Sequence, residues 1–274
     1  MFVLVVPHLA DKEFDDLWET ISPHIEENSK LAKYANMYKK TLRNAKLFKK
    51  YPVKEYIGAG TGGIVLDVKS DNPKLVAKIL IDDDYEFPFC QGNQVLKKLE
   101  DDGVHYVNKL IKTETYDGYL SAEERGTSAS PSFYTCILIL EKADTDLRIG
   151  KLFDTKSIEN WPVLLRFFGK LIQSFAEINF KGKVLHGDIK PENIMAKISK
   201  KGTPPELDVE PVVIDFDLNL YNPREEYFSD PQLRYTPYYR PHEMFDATEI
   251  PEVHPTPAWE INWRKYVYSG EFVE

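Results

Sequence analysis

The nine residues His186-Gly-Asp-Ile-Lys-Pro-Glu-Asn-Ile194 constrain this chain more than any other stretch. They set a carboxylate (Asp188), an ammonium (Lys190) and an amide (Asn193) on one short loop. A second acid, Asp215, follows in Val213-Ile-Asp-Phe-Asp217, after an apolar run that reads as a strand. One acid can orient a hydroxyl and a lysine can neutralise phosphate. An amide with a second acid can hold a divalent cation. Phosphoryl transfer from ATP asks for this set of groups.

The surrounding chain is that of an ordinary globular protein. Its 274 residues suit one large domain or two parts around a cleft. A net charge of −9 argues against nucleic acid as the main partner, which would need a basic footprint. The two cysteines, Cys90 and Cys136, lack the spacing of a disulfide framework or a zinc site and point to an intracellular, reducing compartment. No run reaches the length of a membrane span. Met1-Phe-Val-Leu-Val-Val-Pro7 carries no basic lead-in and reads as an edge strand or docking segment, not a signal peptide.

Periodicity divides the chain. Residues 11–50 read as helical, with Phe14, Leu17, Trp18 and Ile21 at helical spacing and Ser22-Pro23 as a break. Leu31, Tyr34, Tyr38 and Leu42 make a second run with a basic end. Residues 51–82 alternate as strands, with Asp71-Asn-Pro73 as a hairpin turn. Val95, Leu96 and Leu99 read as a short helix, Tyr134–Leu140 as a buried strand, and Gly118–Ser132 as a loop. Leu164, Leu165, Phe168, Leu171, Ile172, Phe175 and Ile178 form an apolar face wide enough to predict a buried helix. A strand-rich part followed by a helix-rich part predicts an α+β fold with a boundary near residues 141–147.

The motifs fall into this frame in order. Gly58-Ala-Gly60-Thr-Gly-Gly63-Ile-Val65 runs into a strand and not a helix, which favours a hairpin lid over phosphates against a dinucleotide turn. Lys78, in Val76-Ala-Lys78, is a poor choice for a strand core unless an anion lies beside it. With the loop at 186–194, these stretches resemble the glycine loop, strand lysine and catalytic loop of the eukaryotic-type protein kinases; Lys190-Pro-Glu192 is similar to the serine/threonine version. The resemblance covers about residues 51–245. It implies a bilobal α+β fold with a β-rich N-lobe (about 51–143) and a mainly helical, shortened C-lobe (about 144–274), behind a helical extension over residues 1–50.

It also implies roles. Asp188 would be the base or orienting acid near the substrate hydroxyl and Lys190 would stabilise the transferred phosphoryl group, with Asn193 and Asp215 as magnesium ligands. ATP would lie against Gly58, Gly60, Gly63 and Lys78. Its adenine would lie between Val65, Ala77 and Met195, with Leu140 as gatekeeper and the backbone of Glu141 and Ala143 at its edge. Asp146 reads as a ribose contact or a helix N-cap. Arg234-Tyr-Thr236-Pro-Tyr-Tyr239-Arg-Pro-His-Glu243 resembles the end of an activation segment, with Tyr227, Ser229 and Tyr235 as loop hydroxyls.

Four departures bear on activity. Gly187 replaces an arginine that meets activation-loop phosphate, and Asp217 replaces a glycine. Gly92 stands where a glutamate would pair with Lys78, so an acid from Asp82–Glu86 would have to serve. Only 31 residues follow Glu243. The expected function is ATP- and magnesium-dependent transfer to serine or threonine of a protein substrate, with residues 1–50 open to a regulatory partner. A pseudokinase scaffold is the alternative reading, favoured by Gly92, Asp217 and the short end. A small-molecule phosphotransferase is a third, opposed by Lys190-Pro-Glu192.

Overall fold

The computed structural model describes residues 11–28, 31–59, 63–70, 73–82, 91–118, 133–146, 161–201 and 206–216. These form an α+β structure with two antiparallel sheets. The larger sheet runs in the order β1-β2-β3-β5-β4. Its strands are β1 (Val53–Ala59), β2 (Gly63–Val68), β3 (Leu75–Asp82), β4 (Leu110–Gly118) and β5 (Phe133–Glu141). Directly paired residues share a face of a sheet. Val65 pairs with Lys78 and Asp67 with Val76, and across β5 Lys78 pairs with Leu138 and Val76 with Leu140. The other parity, Ile64, Leu66, Leu75, Ala77, Ile79 and Ile139, points the opposite way into a separate core.

That outer core is closed by helices α1 (Asp11–Glu26), α2 (Ala35–Asn44) and α3 (Lys46–Lys50). Phe14, Ile21 and Ile25 of α1 and Tyr38 and Leu42 of α2 are buried against the strands. Pro23 does not break α1, which continues to Glu26. A proline removes one N–H and disturbs one turn; burial of Ile21 and Ile25 on either side holds the helix across it. His24 stacks flat on Tyr56 of β1 at 4.2 Å. The N–H of Leu47 donates to Glu114 Oε2 at 2.8 Å, fixing the start of α3 to β4.

The inner face of the sheet packs on α4 (Gln91–Asp101) through Val95, Leu96 and Leu99. The smaller sheet, β6 (Thr145–Asp146), β7 (Ile194–Lys201) and β8 (Glu206–Val213), joins the same core. Helix α5 (Trp161–Ala176) and a π-helical stretch, Glu177–Lys181, complete it. Lys170 of α5 pairs with Asp208 of β8 at 2.9 Å. The segment between α4 and β4 is tied beneath: Ser174 Oγ donates to the His105 carbonyl at 3.1 Å and the Asn108 N–H to the Val213 carbonyl at 2.9 Å. Only part of the expected apolar face is buried: Leu171 and Ile178 are covered, whereas Leu165, Phe168 and Ile172 are exposed.

Candidate active site

The site is assembled where the loop before β7, the end of β8 and the inner face of β3 meet. Asp188 is buried at its centre, and its carboxylate Oδ2 accepts from Lys190 Nζ at 2.6 Å and from Asn193 Nδ2 at 2.9 Å. Asn193 Nδ2 also donates to the Asp188 carbonyl at 2.8 Å, which closes the loop on itself. Charge-assisted bonds of this length are the stronger kind, and breaking one would leave a buried charge without compensation. Gly187 has φ of +81°, a left-handed backbone that a side-chain-bearing residue adopts at a cost. A glycine at position 187 thus has a local conformational reason.

His186 joins this loop to the end of β8. It is buried, its Nε2 lies 2.8 Å from the Ile214 carbonyl, and the Asp188 N–H donates to its Nδ1 at 3.2 Å. The two contacts specify the neutral tautomer with the proton on Nε2. Burial acts the same way, pulling the imidazole below its ordinary pKa despite the carbonyl of Ile214 and the nearby carboxylates. The Ile214 N–H returns a bond to the Asn193 carbonyl at 2.9 Å. Motif spacing draws the eye to Asp188 and passes over His186, although the imidazole holds both strands of the site together.

Asp215 then turns away from β8 with φ of +67°. Aspartate tolerates this region better than most residues, yet such a conformation costs on the order of 1 kcal/mol and persists where its surroundings demand it. Here it aims the carboxylate at β3, where Oδ1 meets Lys78 Nζ at 2.5 Å. The Lys78 side chain is 15% exposed and that of Asp215 is 35% exposed, so the pair sits at a wall partly open to solvent. Residues 78, 188, 190, 193 and 215 are thereby gathered from distant stretches of chain.

Other expected contacts divide by strand parity. Val65 lies on the face of Lys78. Ala77 does not: it is fully buried in the outer core, and Val76 occupies the inner face in its stead. Ala77, expected in the adenine slot, thus points away from the face of Lys78, because adjacent residues of a strand point to opposite faces. Ile57 on β1 is 45% exposed beside Gly58, an apolar residue that alternation alone did not single out. The two described glycines of the turn differ. A Cβ on Gly58 would meet open space, whereas one on Gly63 would run into the Ile79 carbonyl oxygen. Gly63 therefore permits the close approach of β2 to β3. Gly60 lies outside the described residues.

Leu140 is buried behind Val76, and the segment after it is fastened at both ends. Glu141 pairs with Lys197 of β7 at 2.7 Å, and Lys142 with Asp67 of β2 at 2.6 Å. Burial pushes the Asp67 carboxyl up, but hydrogen bonding and charge from Lys142, with Lys54 beyond it, hold it below its usual value. The Glu141 N–H donates to the Lys109 carbonyl at 3.0 Å. Ala143 is half-buried, and Met195 stands opposite Asp146 in the β6–β7 pair. The Asp146 side chain lies outside the description, as do Glu86, Asp217, Tyr227, Ser229, Tyr235 and the whole of 236–243. The first turn of α4 contains no acid.

For a magnesium ion the described donors are few. Among the described residues no three His, Cys, Asp or Glu side chains cluster as a metal site. Asp215 and Asn193 nevertheless fit a cation that takes one or two protein oxygens and completes its shell with water and phosphate. With its Nδ2 turned to Asp188, Asn193 has its amide oxygen available as a ligand. No family model matches the chain, and no curated protein matches it. No helix of the described residues is long and apolar enough to cross a membrane.

Proposed function

We propose that the chain is a bilobal, kinase-like phosphotransferase that moves the γ-phosphoryl group of ATP to a serine or threonine hydroxyl of a protein. The observation that carries the reading is the junction of Lys78 with Asp215 at 2.5 Å beside the Asp188–Lys190–Asn193 cluster. Two cations and two carboxylates in one partly open wall suit a polyanionic nucleotide better than a neutral substrate. Lys78 would hold the α- and β-phosphates and Lys190 the charge of the moving phosphoryl group, while Asp188 orients the hydroxyl and accepts its proton. Magnesium held by Asn193 and Asp215 would neutralise the β- and γ-phosphates. The adenine would lie under Ile57, Val65 and Val76 and over Met195. At Glu141 it would meet a carbonyl oxygen, since that N–H is engaged by Lys109.

The absence of an acid from the first turn of α4 gives a second reading its footing: a nucleotide-binding scaffold without turnover. The test is transfer of labelled phosphate from ATP to a generic protein acceptor, with and without magnesium, for wild type and Asp188→Asn in parallel. Magnesium-dependent transfer lost in the variant is the expected result. Binding of ATP without transfer would select the scaffold, and no binding would sink both.

A further inference from the structure

Side chains at the end of α5 and in the π-helical stretch after it grip the segment between α4 and β4. Glu177 Oε2 accepts the His105 N–H at 2.7 Å and lies 2.9 Å from the His105 ring Nδ1. Its Oε1 accepts from Gln173 Nε2 at 2.9 Å. Ser174 is wholly buried, and its hydroxyl reaches the carbonyls of His105 and Tyr106 at 3.1 and 3.4 Å. Lys181 Nζ donates to the Gly103 carbonyl at 2.7 Å.

The gripped segment in turn carries the end of β8. Val107 and Val213 form a parallel bridge. The Val213 N–H donates to the Tyr106 carbonyl at 2.8 Å, and the Asn108 N–H to the Val213 carbonyl at 2.9 Å, so both backbone groups of Val213 are engaged. The next N–H, that of Ile214, closes on the Asn193 carbonyl, and Asp215 follows. Two residues with side chains and positive φ flank this bridge, Tyr106 at +59° and Asp215 at +67°. A bulky residue in that region is an outlier. Such backbones persist only where their surroundings over-determine them. For Tyr106 the surroundings are the ties from Ser174 and Glu177; for Asp215 they are the bridge that Tyr106 supports.

We propose that Glu177 is a positioning residue for Asp215. It acts through the backbone of residues 105–108, with Ser174 as the second tie, and sets the angle at which the Asp215 carboxylate leaves β8 towards Lys78. Magnesium demands near-ideal octahedral geometry, so a carboxylate turned from its place is a poorer ligand for it. Loss of the brace therefore weakens the metal before it slows the chemistry. That last step rests on the phosphotransfer reading; the placement of Asp215 by Glu177 does not.

Amide hydrogen exchange of the full chain reads the brace without any activity. In Glu177→Ala the Ile214 amide is expected to exchange at least about tenfold faster, while amides inside β7 keep their protection. Glu177→Gln keeps an oxygen for the His105 N–H and should restore a rate close to that of wild type. Ser174→Ala removes the other tie and should speed the same amide by a smaller factor; it answers the question if Glu177→Ala does not fold. A wild-type rate at Ile214 in these alanine variants would overturn the proposal. So would faster exchange spread evenly over β7 and β8, the mark of general destabilisation.

Transfer assays then separate positioning from stability. In Glu177→Ala half-maximal transfer is expected at about fivefold higher magnesium, with the rate at saturating magnesium within about twofold of wild type. A reduced rate with unchanged magnesium dependence would overturn the link to the metal, since it reports only less folded protein. A wild type that transfers no phosphate would remove the phosphotransfer reading, and the exchange rate at Ile214 would still decide the role of Glu177.

Discussion

The two faces of the five-stranded sheet are made from the same strands and do opposite work. On β3, Leu75, Ala77, Ile79 and Ile81 enter the outer core under α1–α3, while Val76 and Lys78 face the candidate site. The outer face carries no charge among these residues and owes its order to burial. The inner face carries Asp67 and Lys78, each held by a partner of opposite sign. Stability and chemistry therefore alternate along one strand at a spacing of a single residue.

Neighbouring substitutions should separate the two faces most clearly. Ile79→Ala removes a fully buried side chain and is expected to cost about 2–5 kcal/mol in urea unfolding. Lys78→Met should alter unfolding by less than about 1 kcal/mol yet cut phosphate transfer at least about 100-fold, roughly 2.7 kcal/mol in the barrier. Equal stability losses from both would end the contrast. A smaller effect is expected at Asp67. Asp67→Asn weakens the bond to Lys142 and should cost about 1–3 kcal/mol, although the residue lies on the face assigned to chemistry. No loss would mean that Val76 and Leu140 suffice to hold the connecting segment.

Acid should report on the anchor beneath the inner face. Burial tends to raise the Glu177 carboxyl, but hydrogen bonds from Gln173 and His105 outweigh it and bring its pKa from 4.5 to about 2. A carboxyl so lowered stabilises the fold above 4.5, and its contribution is lost as the pH falls from there towards 2. We expect a loss of roughly 1 kcal/mol over that window, absent in Glu177→Gln, in pH-dependent denaturation. The smallest effect belongs to the outer face. The Tyr38 hydroxyl is buried without a hydrogen-bond partner, and burial pushes its pKa up. Tyr38→Phe should shift the melting free energy by less than about 1 kcal/mol, in the stabilising direction. A clear destabilisation would show that the outer core is not purely apolar in its demands.

The residues of the candidate site were legible in the sequence because their side-chain types and close spacing within a loop single them out. Lys78, Asp188, Lys190, Asn193 and Asp215 come together from three separate stretches read one at a time. What the sequence hid was geometry set by neighbours. Ala77 was expected in the adenine slot from the resemblance, but parity along the strand turns it into the outer core and puts Val76 on the face of Lys78. Pro23 looked like a helix end because local propensity does not register the burial of Ile21 and Ile25. Strands β4 and β7 escaped notice because Leu110–Gly118 and Ile194–Lys201 mix polar and apolar residues without a long hydrophobic run. The exposed side of α5 was read as core because periodicity shows that a face is apolar, not which layer covers it.

The adjacent and oppositely charged Glu141 and Lys142 work as an error check on alignment. Glu141 reaches down to Lys197 and Lys142 up to Asp67. If β5 slipped by one residue in one direction, Lys142 would face Lys197. If it slipped the other way, Glu141 would face Asp67. Either mistake replaces an attraction with a repulsion and strands the remaining partner. Because Leu138 pairs with Lys78 three residues upstream, the same check sets which side of the sheet Leu138 occupies beside that lysine. Two side chains at the end of a strand thereby proofread the placement of a third that they never touch.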